Sequence, residues 1–268
     1  MDNRKEIVAL LRNRSLTAST IVLAACIGAT LVGLRLADTV QASGDPRVRK
    51  PVLVELFTSE GCSSCPPADH LLQSLDREQN IPGAQVIVLS EHVDYWDHEG
   101  WRDPFSSPEV TARQNSYASR FSQDSPYTPE AVIDGSRGIN GSDPRGLIAA
   151  VAEAAQRPKI EITIVNAMMS GKAVTANLTS AANPRTDLYV VLADDHDESS
   201  VLRGENSGRH IEHVAVLRMI MRLGSLNDGF NKPIRIALPD RSQKKMRLVV
   251  FAQERGTGHI LGVAETSL

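Results

Sequence analysis

Hydrophobic and polar positions in the first half of the chain follow the pattern of strands that alternate with helices. Two short runs of apolar and β-branched residues, PVLVELFTS at 51–59 and AQVIVLSEHV at 84–93, are typical of buried strands. Leucines at helical spacing follow the first run over 71–75, and residues 80–83 carry the Asn, Pro and Gly signals that end a helix. The pattern therefore predicts a βαβ unit with parallel strands.

The same half continues with a helix, two strands and a further helix. Residues 106–121 begin with a serine cap and a proline in the first turn, and residues 142–156 form a capped, alanine-rich segment. Between them, the apolar run 131–133 precedes Asp134-Gly135, a pair that favours a hairpin turn. The predicted order over residues 51–156 is β-α-β-α-β-β-α.

At residue 157 the pattern changes to runs of alternating apolar and polar positions, without a helical stretch. Clusters of Gly, Asn, Pro and Ser separate these runs at the spacing of a β-sandwich, and the last two runs are joined by a turn at 255–258. We therefore predict an α/β domain over residues 51–156, followed by an all-β, sandwich-like domain over residues 157–268.

The first 42 residues have the features of an export signal. An uncharged segment at 15–34 has the length of a membrane-spanning helix and follows four basic residues (Arg4, Lys5, Arg12, Arg14). Small residues at Val40 and Ala42 suit signal peptidase, so residues 1–42 are interpreted as a cleaved signal peptide or an N-terminal membrane anchor, with lipid attachment at Cys26 as a third alternative. All three place the chain after the polar linker 43–50 in the periplasm or outside the cell.

Charge and cysteine content narrow the classes of function. The net charge of −3 offers no basic excess, so nucleic acid is not expected as a partner. The chain has 3 cysteines, too few for a disulfide framework in a protein of 268 residues. Because Cys26 lies in the export segment, Cys62 and Cys65 are the only thiols of the exported part.

The GCSSC motif has three interpretations. A disulfide between residues three apart closes a very small loop and adds little stability, so a structural staple is disfavoured. A structural zinc site needs about four ligands, and here histidines would have to complete it; the candidates are His70, His92 and His98. The third interpretation is a redox-active disulfide, which needs no other cofactor.

The redox interpretation accounts for more of the local sequence. A cysteine between a strand and a helix lies where backbone N–H groups and the helix dipole stabilise a thiolate, so Cys62 is the expected attacking sulfur. Cys65, one helical turn on, is expected to be the more buried thiol and to resolve the mixed disulfide. The motif in a βαβ unit is typical of a thioredoxin-like fold, in which the X-Pro step Thr128-Pro129 would contact the backbone of a substrate.

A polar and aromatic segment follows the second predicted strand. It contains Tyr95 and Trp96, which we expect to contact substrate, and a group of ionisable residues (His92, Asp94, Asp97, His98, Glu99). In one interpretation this segment forms a pocket wall in which His92 or Asp94 transfers protons; in others it binds a metal, or it is a structural loop. The segment 203–213, RGENSGRHIEH, likewise either reaches the cysteines or forms a solvated loop.

Six separated motifs, in order from about residue 51 to the C-terminus, resemble one known family: ELFTSEGCSSCPPAD, SEHVDYWD, GWRDPFSSP, RQNSY, YTPEAVIDG and GENSGRHIEHVAVLR. The family consists of exported bacterial proteins with a thioredoxin-like domain, catalogued as a domain of unknown function. The resemblance implies a thioredoxin-like fold with a β-rich C-terminal part. It does not identify a substrate. Glu130 stands where glutamine is expected, and Ser63-Ser64 replaces the Gly-Pro of thioredoxins, which alters positions that tune the thiolate.

The sequence thus favours an exported thiol–disulfide oxidoreductase that acts on a protein or small-molecule thiol or disulfide. Two alternatives use the same fold without turnover. One is an exported protein that binds copper or another metal through Cys62, Cys65 and a histidine. The other is a thioredoxin-fold interaction scaffold with an inert disulfide.

Overall fold

The two apolar runs around the cysteines form adjacent parallel strands. In the computed structural model, which describes residues 49–238 and 245–268, β1 (Lys50–Thr58) pairs with β2 (Ala84–His92) in register from Lys50 opposite Ala84. Helix α1 (Pro66–Glu78) connects them and begins with prolines, which suit a first turn because their missing N–H is not needed there. Its buried face, which includes Leu72 and Leu75, packs on the sheet.

Capped helices and a short hairpin complete the first half. Helix α2 (Pro108–Arg120) is capped by the Ser107 side chain, and α3 (Pro144–Ala154) by that of Asp143. Strand β3 (Glu130–Ile133) pairs antiparallel with β1 and turns into β4 (Arg137–Asn140). The element order up to Ala154 is therefore β1-α1-β2-α2-β3-β4-α3.

The rest of the chain consists of strands, and its described residues contain no helix after α3. The strands are β5 (Ile162–Ser170), β6 (Ala173–Ser180), β7 (Asn183–Ser200), β8 (His210–Leu226), β9 (Phe230–Ala237), β10 (Met246–Glu254) and β11 (Ile260–Ser267). Strands β5, β6 and β9 form a small antiparallel sheet of their own. The inner side chains of this sheet, such as Val174 and Leu178, pack with Val190 and Leu248 in a separate apolar cluster.

A single eight-stranded sheet joins the two halves of the chain, in the order β11-β10-β7-β8-β2-β1-β3-β4. The junction is a parallel contact between β2 and β8, at Ser90 opposite Val216. One apolar core contains side chains from both halves, for example Leu53 and Phe251. The chain from Pro46 to Leu268 is accordingly one compact unit, and the boundary expected at residue 157 marks a change of pattern within one sheet. The two halves are held together because apolar side chains from both are buried in the same core.

A buried charged group also ties α2 to strands from both halves. Arg113 donates to Glu55 Oε1 on β1 (2.6 Å), and the Tyr117 hydroxyl donates to Glu55 Oε2 (2.8 Å). Gln253 on β10 donates in turn to the Tyr117 hydroxyl (3.0 Å). Burial, together with the charge of Glu55, raises the pKa of the nearby Glu91 well above its usual value.

The predicted export segment lies outside the described residues, as do its alternatives of cleavage after Ala42 and lipid attachment at Cys26. Of the predicted linker 43–50, the structure describes Arg49 and Lys50, and Lys50 already belongs to β1. Among the residues that are described, no helix is long and apolar enough to cross a membrane.

Candidate functional site

The two cysteines form a disulfide at the junction of β1 and α1. Cys62 and Cys65 are bonded through their sulfurs, with their Cα atoms 5.4 Å apart. The loop is a tight turn, because the Cys65 N–H donates to the Cys62 carbonyl (3.2 Å). Cys65 is the N-cap residue of α1, and its carbonyl accepts from the N–H groups of Ala68 and Asp69. The pair therefore lies where the helix N-terminus favours negative charge.

Both cysteines are fully buried in this disulfide form, at 0% exposure, while Ser63 and Ser64 between them are exposed. The sequence led us to expect a more accessible Cys62 and a more buried Cys65, and the structure gives the two residues equal burial. A segment from the second half of the chain contacts the cysteine loop, which contributes to this burial.

That segment, residues 201–209, is named here the covering segment. Its one buried polar side chain is Asn206, whose Nδ2 donates to the carbonyls of Glu60 (2.8 Å) and Cys62 (2.9 Å). Residues 202–205 and 207–209 are exposed to solvent, and Leu202 is exposed by 72%. Both interpretations made for residues 203–213 therefore hold for parts of that range: Asn206 reaches the cysteine loop, and residues 203–205 and 207–209 are exposed to solvent.

Beside the disulfide lies a buried group of ionisable side chains, named here the acid–histidine cluster: Glu60, Asp69, His92, Asp103 and His213, none more than 3% exposed. His213 Nε2 lies 3.4 Å from Glu60 Oε1, and His213 Nδ1 lies 3.7 Å from Asp69 Oδ1. His92 Nδ1 lies 2.7 Å from Asp103 Oδ2, and the two imidazole rings meet edge to face with centroids 4.5 Å apart.

The cluster members shift one another's ionisation. Burial by itself would lower the pKa of His213, but contacts with Asp69 and Glu60 raise it to about 10, so the ring is an imidazolium at neutral pH. Burial by itself would raise the pKa of Asp103, but His92 and two backbone N–H groups outweigh it and lower that pKa. The cluster thus holds three carboxyl groups and two imidazoles away from water, and paired charges are what makes such burial tolerable.

Neighbouring loops connect the cluster and the disulfide. Trp101 Nε1 donates to Glu60 Oε2 (2.7 Å), and Asp103 Oδ2 accepts from the Glu60 N–H (2.8 Å). Gly61 is tightly packed, since an added Cβ would lie 3.0 Å from the Cβ of Trp96 and 3.1 Å from its carbonyl oxygen. These contacts fix the two residues that precede Cys62.

The residues expected to contact substrate lie around the same loop. Trp96 Nε1 donates to Thr128 Oγ1 (2.7 Å), so the residue whose Cβ and carbonyl lie against Gly61 also bonds to the Thr128-Pro129 step, whose peptide bond is cis. Pro129 is buried, and a Cβ added at Gly141 would lie 3.2 Å from the Pro129 Cβ and 3.3 Å from the Ala68 Cβ. Pro129 is therefore close to the start of α1.

Comparison with known proteins gives a family and a fold. The sequence profile described as "Protein of unknown function (DUF1223)" matches residues 53–253, three quarters of the chain. The chain belongs to the DUF1223 family. No curated protein matches it.

Solved structures add a fold relationship. The DUF1223 chain superposes on the crystal structure of a protein from Agrobacterium tumefaciens with a TM-score of 0.59 and 24% identity, over 82% of this chain and 94% of the other. At this identity the likeness concerns the fold alone. Two structures of β-glucuronidases from Bacteroides uniformis match with a TM-score of 0.17 and 10% identity, over 41% of this chain and 12% of theirs. A TM-score this low does not indicate a shared fold.

The other residues that were predicted for the site of this DUF1223 protein lie in different surroundings. Tyr95 is half-buried and donates to Gln114 Oε1 (3.1 Å), and burial raises its pKa to about 12. Asp94 accepts from the Thr111 hydroxyl on α2 (2.6 Å), so its carboxylate is engaged in a helix contact. His92 lies in the acid–histidine cluster, whereas His98 and Glu99 are exposed.

Sequence reasoning did not identify Glu60, Asp69, Asp103, Asn206 or His213 as individual members of the site. Glu60 and His213 are 153 positions apart, and a polar residue beside a turn carries no mark of burial in the sequence. The available signal was the set of family motifs: ELFTSEGCSSCPPAD includes Glu60 and Asp69, GWRDPFSSP includes Asp103, and GENSGRHIEHVAVLR includes Asn206 and His213.

A metal site formed by the cysteines would need both thiolates, which the disulfide form does not offer. In the described part of the chain, three side chains able to ligate a metal lie within 4.8 Å of one another only at Glu198, His210 and Glu212. All three are exposed, and such surface groups are common without an ion.

Proposed function

We propose that this protein is a thiol–disulfide oxidoreductase whose redox pair is Cys62 and Cys65. The observation that carries the proposal is the disulfide at the N-terminus of α1, beside a buried charged cluster. A disulfide across so short a loop stabilises the chain little, so a chemical role accounts for it better than a structural one. Within this proposal, residues 51–156 are a thioredoxin-like domain and residues 157–268 its β-rich partner.

The chemistry is an exchange of two electrons. In the reduced protein, the Cys62 thiolate attacks a substrate disulfide, forms a mixed disulfide and releases one substrate thiolate, which takes a proton from water. The Cys65 thiol gives its proton to water, and the resulting thiolate attacks the Cys62 sulfur of the mixed disulfide. This step forms the Cys62–Cys65 bond and releases the second substrate thiolate. The substrate gains two electrons and the protein loses two; the reverse sequence oxidises a dithiol.

Side chains around the loop have proposed roles in substrate contact. Thr128 and Pro129 are proposed to contact the substrate backbone beside the disulfide, with Trp96 and Tyr95 as apolar walls. Support comes from the hydrogen bond between Trp96 and Thr128 and from the contact of Trp96 with Gly61. His92 is proposed to take part in proton transfer through the buried cluster. Asp94 has weaker support, because its carboxylate is bonded to Thr111.

The compartment is proposed from the sequence. Residues 1–42 direct the chain out of the cytoplasm, as a cleaved signal or as an anchor that keeps the protein at the membrane. A disulfide persists in such a compartment, which agrees with the bonded state of Cys62 and Cys65.

The test compares Cys62→Ser and Cys65→Ser with the parent protein, all in a Cys26→Ser background that leaves no other thiol. The parent is expected to exchange with glutathione and with a dithiol peptide. Cys62→Ser should abolish this exchange, and Cys65→Ser should accumulate a mixed disulfide at Cys62, visible by mass spectrometry. Retained exchange in Cys62→Ser would overturn the proposal.

Metal content of the reduced protein distinguishes the alternatives. A stoichiometric ion, lost in both serine variants and accompanied by no exchange, would identify a metal-binding protein. Absence of both exchange and metal would leave the interaction scaffold.

A further inference from the structure

We propose that His213, on β8 in the second half of the chain, is a positioning residue that sets the redox equilibrium of the Cys62–Cys65 pair. The inference rests on the proposed redox function and deepens it. The proposal needs no contact between His213 and either sulfur; His213 acts by its charge and by the position it gives the two acidic residues that flank the motif.

The geometry places one side chain against both flanks. Glu60 is two residues before Cys62, and Asp69 is four residues after Cys65, on the first turns of α1. His213 on β8 lies between their carboxylates, 3.4 Å from Glu60 and 3.7 Å from Asp69, and is 1% exposed. Displacing this imidazole would therefore disturb the loop and the helix start together.

The surrounding charges come from four other elements. Glu60 approaches from the loop after β1 and Asp69 from α1, while His92 lies at the end of β2 and Asp103 in the loop before α2. The Phe105 ring also contacts His213 (centroids 5.6 Å apart), and the Arg218 guanidinium lies over that ring, 5.8 Å from its centroid. With three carboxyl groups nearby, His213 supplies a positive charge that keeps the cluster from being strongly negative.

That charge matters because the two redox states differ in charge. The disulfide is neutral, whereas the reduced pair carries a negative charge when one sulfur is a thiolate. A nearby buried cation favours the thiolate, and a nearby carboxylate disfavours it, with little screening by salt. His213 should therefore make the pair easier to reduce, and each carboxylate of the cluster should oppose it.

The experiment measures the equilibrium of the pair with glutathione at pH 7 and the pH dependence of alkylation of reduced Cys62, in the full chain with Cys26→Ser. His213→Gln is expected to shift the equilibrium about tenfold toward the disulfide, about 30 mV for a two-electron couple. The matched control is His210→Gln, a histidine on the same strand that is exposed and paired with Glu198. It should leave the equilibrium unchanged.

A second variant makes the sign decisive. Asp69→Asn retains an oxygen for the Thr58 hydroxyl, which donates to Asp69 Oδ1, but removes a negative charge. It should shift the equilibrium toward the reduced form and move Cys62 alkylation to lower pH, opposite to His213→Gln. A purely structural role predicts no such opposition.

The outcomes are separable. If the parent protein fails to exchange with glutathione, the proposed function fails. If the parent exchanges but Asp69→Asn leaves the equilibrium unchanged or shifts it toward the disulfide, the role of His213 is overturned and the function stands. That second criterion holds even if His213→Gln does not fold, as judged by circular dichroism.

Discussion

The covering segment should control chemical access to the disulfide, and Asn206 is the residue through which this can be measured. Asn206→Ala removes both hydrogen bonds that the side chain makes to the cysteine loop, at 2.8 and 2.9 Å. Because the side chain is fully buried, its loss also leaves the carbonyls of Glu60 and Cys62 without those donors while the segment is closed.

The size of the effect follows from the two bonds. A hydrogen bond of this kind contributes about 0.5–1.5 kcal/mol net, so closure of the segment should weaken by about 1–3 kcal/mol. Since about 1.4 kcal/mol corresponds to a tenfold change in an equilibrium, the open form should become about 5 to 150 times more populated.

The assay is the rate at which dithiothreitol reduces the oxidised protein under native conditions. At low reductant concentration the rate follows the population of the open form, so Asn206→Ala should be reduced about 5 to 150 times faster than the parent. Ser207→Ala is the control, because Ser207 is exposed and its hydroxyl bonds only within the segment, to the Leu202 carbonyl. Equal rates for Asn206→Ala and the parent would refute control by the segment.

Two further predictions concern the buried charges around α2. The raised pKa of Glu91 means that the native state retains a proton which the unfolded chain releases above about pH 4.3, so stability falls as pH rises from there through the native pKa. Glu91→Gln should remove that loss, so in urea unfolding its free energy of unfolding should exceed that of the parent at pH 8 but not at pH 4. Glu109→Gln, at an exposed position, is the control. Equal pH profiles of stability for Glu91→Gln and the parent would contradict the reasoning. Arg113→Met leaves Glu55 buried without its cation and should lower the free energy of unfolding by about 3–5 kcal/mol, whereas a loss below about 1 kcal/mol would show that the ion pair is dispensable.

Elements with strong local periodicity were predictable from the sequence. Strands β1 and β2 and helix α1 lie within a few residues of the predicted runs, because apolar spacing and a helix-ending Pro-Gly are local signals. The expected membership of a family of unknown function agrees with the DUF1223 match over residues 53–253. A thioredoxin-like fold and a redox function remain predictions for the experiments above.

Local patterns failed where long-range pairing decides. Strands β7 and β8 are 18 and 17 residues long, longer than their apolar runs, because their hairpin continues through polar positions as far as Ser200 opposite His210. Hydrophobic periodicity cannot mark such pairs, since backbone hydrogen bonds hold them. Nor could it show that β8 lies beside β2 and extends the first sheet.

The place of the cysteine pair, in a CxxC motif between a buried strand and a helix, follows from residue spacing and composition. The surroundings of that pair depend instead on long-range packing. Asn206 and His213 reach it because β8 adds to the edge of the first sheet, and this contact brings an amide and an imidazole from the second half beside Cys62 and Asp69. Burial and pairing of charges depend on which surfaces pack together, and a linear pattern of polar residues carries no record of that packing.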